Sequence, residues 1–263
     1  MKQSSNTEIK FLEIDSKIIE YQVFGDISND IPVLILLHEG LGSIAMWRKI
    51  PELIHLKTKL NVFVYSRFGY GKSSTIKLPR PTNYMSIEAE EYLPKIIKSL
   101  SIKNYFLIGH SDGGTIASIG SNSKNIEQLL GTILIAPHFF VEQESINAIE
   151  DISYQYKYKN LKSKLERFHN DVDNAFWGWS NVWLSPDFKN WNILKYLPQI
   201  KTPILALQGT NDPYGTINQI NILEQKVRGP FDKVVIKDCG HNPFTEYTDK
   251  TIEHINAFIK KII

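Results

Sequence analysis

The feature that most constrains this chain is the stretch Tyr105-Phe-Leu-Ile-Gly-His-Ser-Asp-Gly-Gly114, an apolar run that ends in a Gly-x-Ser-x-Gly pentapeptide. An unbroken apolar run of this length reads as a buried strand. Gly109 and Gly113, two residues either side of Ser111, fit a strand that turns into a helix so sharply that the neighbouring positions have no room for side chains. Such a turn would hold Ser111 at the carboxyl end of the strand. The pentapeptide alone establishes no chemistry. Its weight depends on whether the chain also supplies a base, an acid and oxyanion donors in a compatible order.

The surrounding pattern is that of a layered α/β fold. Residues 9–24 alternate in two short runs separated by Asp15 and Ser16, which predicts an antiparallel hairpin at one sheet edge. Buried-type strands are predicted at Val33–Leu37, 62–65, 132–136, 204–207 and 233–236, besides the one that precedes Ser111. Helical periodicity predicts helices over 43–55, over 86–100 with a kink at Pro94, and over 246–263. Uniformly apolar strands alternating with helices imply a mostly parallel sheet covered on both faces. Between Ala136 and Ile204 no strand-like run occurs, and four of the five tryptophans lie there. A structureless loop of that length is disfavoured, so the segment is expected to be a helical insertion over one end of the sheet. The expected organisation is therefore a core of residues 1–137 and 198–263 with a helical cap at 138–197.

Composition narrows the class. With 263 residues, 42% hydrophobic and 22% charged, the chain is long and apolar enough for a sizeable core and does not resemble a disordered or fibrous protein. The net charge of +2 gives no reason to expect a nucleic-acid partner, and the longest apolar runs are too short to span a membrane. The start, residues 1–6, is polar and no apolar leader follows, and the single cysteine, Cys239, fits a reducing compartment. The expectation is a soluble cytoplasmic protein acting on a small molecule, with its oligomeric state open.

A serine hydroxyl needs a base to take its proton and a third group to orient that base. Asp212 follows the strand at 204–207 and His241 follows the strand at 233–236, so both are expected at the sheet edge where Ser111 emerges. Asp238 is a rival acid, disfavoured because it lies three residues before the histidine on the same strand end. Oxyanion donors are expected from the backbone N–H of Asp112 and from Gly40 in the turn after Val33–Leu37. Glu39 sits badly beside Gly40. A carboxylate facing the site would repel a developing oxyanion, so its side chain is expected to be turned away or paired.

Taken with His38-Glu-Gly-Leu-Gly-Ser43, Ser66-Arg-Phe-Gly-Tyr-Gly-Lys-Ser73, Gly209 to Asp212 and Gly240-His241, these motifs give the chain a resemblance to the α/β-hydrolase fold superfamily over essentially its full length. The resemblance is to serine-nucleophile members with a helical cap, such as esterases and C–C bond hydrolases, and the chain departs from them at Glu39, where a glycine is usual. It implies a Ser111, His241 and Asp212 triad that hydrolyses a carboxylic ester through an acyl-enzyme. A thioester, a lactone or a C–C bond would suit the same residues, and a low-turnover binding or sensory protein is the reading from another class.

Several other patterns are set aside. Gly40-x-Gly-x-x-Ala45 with Arg67 has a weak dinucleotide-binding look, Gly71-Lys-Ser lacks the first glycine of a phosphate loop, and His38-Glu39 lacks the second histidine of a zinc protease. No cofactor and no metal are implied. The basic, tyrosine-rich run from Tyr154 through Lys164 reads as a solvated helix face. Trp177, Trp179 and Trp183 are candidates for the apolar lining of a substrate pocket. His110 and His138 lie within reach of its rim, with ordinary packing the preferred reading.

Overall fold

The computed structural model describes residues 7–122 and 128–263, so the polar start at 1–6 lies outside the described residues. Eight strands form one sheet. In chain order they are β1 Lys10–Ile14, β2 Lys17–Phe24, β3 Val33–Leu37, β4 Asn61–Tyr65, β5 Tyr105–His110, β6 Leu129–Ile135, β7 Ile204–Gly209 and β8 Phe231–Ile236. Their spatial order is β1-β2-β4-β3-β5-β6-β7-β8. The predicted hairpin β1–β2 forms one edge and joins β4 antiparallel, while every later pairing is parallel. All carboxyl ends from β3 to β8 therefore open on the same edge of the sheet.

Helices cover both faces. They are α1 Ile44–Trp47, α2 Ile50–Thr58, α3 Tyr84–Ile87, α4 Leu93–Ser99, α5 Asp112–Gly120, α6 Gln143–Tyr158, α7 Leu161–Leu165, α8 Val172–Trp183, α9 Asn218–Lys226, α10 Pro243–Glu246 and α11 Thr248–Lys260. Every residue of β3, β4, β5 and β7 is buried, which is why these strands read as unbroken apolar runs. One core layer packs the face toward α4, α5 and the segment between β6 and β7, and a second packs Leu34, Leu36, Val62 and Val64 against α2 and α11.

Three helices differ from expectation, each for a local reason. The helix predicted over 43–55 is split because Arg48 adopts φ 52° and Pro51 occupies the first turn of α2. The helix over 86–100 begins at α3 and passes through a π turn, Glu88–Tyr92, where the Leu93 N–H reaches the Glu88 carbonyl before Pro94 enters α4. The C-terminal helix divides at Tyr247 into α10 and α11. Between β6 and β7 the chain forms α6, α7 and α8 with short 3₁₀ turns. On α6, Tyr154 and Tyr158 are exposed while Tyr156 stacks on Phe176 of α8.

Candidate active site

The elbow after β5 sets the site. Ser111 adopts φ 54° and ψ −120°, a conformation strained for a side-chain-bearing residue, and its carbonyl accepts from the N–H groups of Gly114 (2.8 Å) and Thr115 (3.1 Å) to start α5. A Cβ on Gly113 would strike the Leu37 carbonyl, and one on Gly109 would strike Gly113 itself. The turn can be this tight only with glycine at both places.

Asp212 and His241 come together in the loops after β7 and β8. The Asp212 Oδ2 lies 2.8 Å from His241 Nδ1 and accepts from Gln208 Nε2 at 2.7 Å, while Oδ1 accepts from the Tyr214 N–H at 2.8 Å. Burial works to raise the pKa of this carboxyl, but His241 and the Tyr214 N–H outweigh it and hold it below the usual carboxylate range. A carboxylate so held keeps the imidazole in the tautomer with a proton on Nδ1, leaving Nε2 free to act as a base. The rival Asp238 is exposed, and its own N–H is tied to Thr210.

The loop after β3 is braced from behind. The Arg67 N–H donates to His38 Nε2 at 3.0 Å, so His38 carries its proton on Nδ1, which meets the Glu39 carbonyl at 2.7 Å. Burial, then Arg67, push the His38 pKa well down and keep the ring neutral. The same Glu39 carbonyl accepts from Arg67 Nη2 at 2.9 Å and from the Gly42 N–H at 3.0 Å. In a trans peptide the N–H points opposite to the carbonyl, so these bonds turn the Gly40 N–H away from Arg67. The other expected donor, the Asp112 N–H, is the first of α5 and has no carbonyl of its own helix to meet. Arg67 is wholly buried in this bracing role and is not placed to receive a cofactor phosphate.

Ser111, Asp112, Gly40 and His241 line one cavity of about 130 Å³. Ile149 of α6 and Trp179 and Trp183 of α8 line it as well. Trp179 lies directly over Gly40, where any Cβ would overlap its indole. Trp183 donates to the Tyr84 hydroxyl at 3.1 Å, and Tyr84 in turn donates to the Asp112 carboxylate, which Arg67 approaches to 4.0 Å. Trp177 is not part of this wall. On one helix, positions four apart share a face and a residue two positions away points elsewhere. Trp177 accordingly packs edge-on against Tyr156 and Phe176.

Residues 32–119 match the model of a family described as the alpha/beta hydrolase fold. An esterase from Exiguobacterium antarcticum superposes with a TM-score of 0.74 at 18% identity, covering 95% of this chain and 98% of that one. The chain has the α/β-hydrolase fold. An enol-lactonase from Burkholderia xenovorans LB400 superposes with a TM-score of 0.73 at 17% identity, over 95% of this chain and 100% of that one. In sequence, the chain is 22% identical to a proline iminopeptidase of Lactobacillus helveticus (strain DPC 4571), over 91% of this chain and 93% of that protein.

Within this α/β-hydrolase frame, two histidines have more specific places than ordinary packing. His138 lines the cavity with its Nδ1 buried and unpartnered, its ring 5.6 Å from that of His241. Burial, then the neighbouring His241, depress its pKa to about 3, so it stands neutral beside His241. His110 is 3.6 Å from the Glu39 carboxylate through Nδ1 and 2.8 Å from the His241 carbonyl through Nε2. Glu39 is thus paired, which relieves the conflict foreseen for it. Cys239 is buried and free, and burial raises its pKa to about 11. Among the described residues, no cluster of three or more His, Cys, Asp or Glu could hold a metal ion, and no helix is long and apolar enough to cross a membrane.

Proposed function

We propose that the protein is a serine hydrolase that cleaves carboxylic esters with a compact, apolar acyl group. In this reading His241 Nε2 takes the proton of Ser111 as its hydroxyl oxygen attacks the ester carbonyl. The negative charge on the tetrahedral intermediate falls to the N–H groups of Gly40 and Asp112. His241 then gives its proton to the leaving alcohol, and a water, activated by the same imidazole, releases the acid and restores Ser111. Asp212 stays ionised and holds the imidazole throughout. These steps call for no cofactor.

The observation that carries the reading is the convergence of Ser111, His241, Gly40 and Asp112 on a single cavity, with Asp212 on the far nitrogen of the imidazole. The size of that cavity supports the substrate class. At about 130 Å³ it approaches the roughly 150 Å³ of an apolar protein cavity that accepts benzene, so a group of about six carbons fills it.

A fluorophosphonate probe is the direct test. The wild type is expected to label and the Ser111→Ala variant to remain unlabelled. Failure of the folded wild type to label would sink the reading. Turnover of 4-nitrophenyl acetate, butyrate and octanoate, of a γ-lactone and of a prolyl anilide then separates an esterase from a lactonase and from the peptidase activity named for the Lactobacillus relative. Labelling without turnover of any of them would favour a binding role.

A further inference from the structure

His110 and Glu39 take no part in the steps above, yet they connect two of the loops that perform them. Glu39 immediately precedes Gly40, and His110 immediately precedes Ser111. The ring nitrogens of His110 both face acceptors: the His241 carbonyl at 2.8 Å and the Glu39 carboxylate at 3.6 Å, the second an ion-pair distance. A neutral imidazole has one N–H and would leave one nitrogen lone pair facing an acceptor. Only the imidazolium presents a proton to each. The His110 side chain is almost completely removed from bulk water, and that of Glu39 is partly buried.

We infer that His110 is a positioning residue: as an imidazolium held between the Glu39 carboxylate and the His241 carbonyl, it cancels the charge beside the Gly40 donor and ties the oxyanion loop to the loop that carries the base. The inference rests on the hydrolase reading. Without that cation, the Glu39 carboxylate would oppose charge on the oxyanion and at the same time over-stabilise protonated His241. The balance of local forces agrees. Burial works to lower the His110 pKa, but the Glu39 carboxylate and the His241 carbonyl outweigh it and hold it above the ordinary histidine value. Burial works to raise the Glu39 pKa, but His110 holds it below the ordinary value.

The charged and titratable groups around His110 come from five segments of the chain. Glu39 follows β3. Asp212 follows β7 and adds to the attraction for a proton. His241 follows β8, its ring centroid 5.2 Å from that of His110. His138, neutral, stands beyond His241. Arg48 and Lys49 line a second cavity, of about 410 Å³, whose wall also includes Glu39 and His110. Glu39 therefore lines both that cavity and the one that contains Ser111, whereas His110 lines the second alone.

Two measurements test the inference. Histidine-selective NMR of the full chain reads the pair without turnover. His110 is expected to hold both protons at neutral pH and to lose one at lower pH in Glu39→Gln than in the wild type; a singly protonated His110 at neutral pH, or one unmoved by Glu39→Gln, overturns the inference. The pH profile of kcat/KM on a short-chain ester reads the consequence. His110→Gln keeps a side-chain N–H donor but cannot carry the cation, so its acid limb is expected to move up by roughly one pH unit and its kcat to fall by roughly tenfold. Adding Glu39→Gln should move the limb back and recover most of the loss, which a purely structural role would not do. If His110→Gln matches the wild type, or the double variant matches His110→Gln, the positioning role is wrong. A folded wild type that does not label with the fluorophosphonate overturns the hydrolase reading and the role with it, whereas normal turnover with a neutral His110 overturns this inference alone.

Discussion

At the scale of single residues, the site is built from backbone as much as from side chains. Gly40 shows this most directly, since the Arg67 bond to the preceding carbonyl sets its N–H and the Trp179 indole fills the space beyond its Cα. Gly40→Ala is expected to lower kcat roughly tenfold or more on a short-chain ester, the range seen when an oxyanion donor is disturbed, while circular dichroism stays native. An unchanged kcat would remove Gly40 from the oxyanion site. The residues that the sequence exposes are those held by local motifs: Ser111 by its flanking glycines, Asp212 and His241 by their place after predicted strands. What it does not expose is who meets whom across the fold. His110 stands next to Ser111 in the chain, but its partners are 71 residues before it and 131 residues after it. No periodicity or spacing encodes such a contact.

At the scale of elements, burial decided legibility. The central strands are buried at every residue and so announced themselves as apolar runs, and the order of their loops fixed which residues share an edge. Breaks inside helices were less visible. Arg48 at φ 52° splits a segment of good helical periodicity, and α9 turns only Gln219, Ile220 and Leu223 inward, too few to stand out in a polar stretch. The face of α8 was likewise hidden, because Trp177, Trp179 and Trp183 are chemically alike and differ only in their angle around the helix axis. That angle makes a prediction. Trp179→Ala should enlarge the cavity and raise the ratio of kcat/KM for an octanoate over a butyrate ester severalfold, by one to a few methylene equivalents of transfer energy. Trp177→Ala should leave that ratio within about twofold. Equal ratios in the two variants would mean that α8 does not grade chain length.

At the scale of the whole molecule, the site makes demands on stability. His138 is buried, neutral and lacks a partner for Nδ1, so folding holds its pKa at about 3 against an unfolded value near 6.5. Below about pH 6.5 the unfolded chain takes up a proton that the folded protein refuses, so stability is present above that pH and is lost as pH falls toward 3. The loss from this one group is about 2 kcal/mol at pH 5. A His138→Gln variant should therefore show a flatter decline of Tm between pH 6.5 and 5 than the wild type, and parallel declines would assign the acid sensitivity to other groups. Ser111 carries a second demand, because its φ of 54° with ψ of −120° is a conformation glycine adopts without strain. Such strain costs of order 1–3 kcal/mol, partly offset in a glycine variant by greater freedom of the unfolded chain. Ser111→Gly should be inert toward the fluorophosphonate and melt at a Tm a few degrees above the wild type. If it does, a drifting copy of this gene released from selection for activity would gain robustness by losing Ser111, the proposed nucleophile, first, and dead but sturdy descendants would be the expected evolutionary residue of this turn.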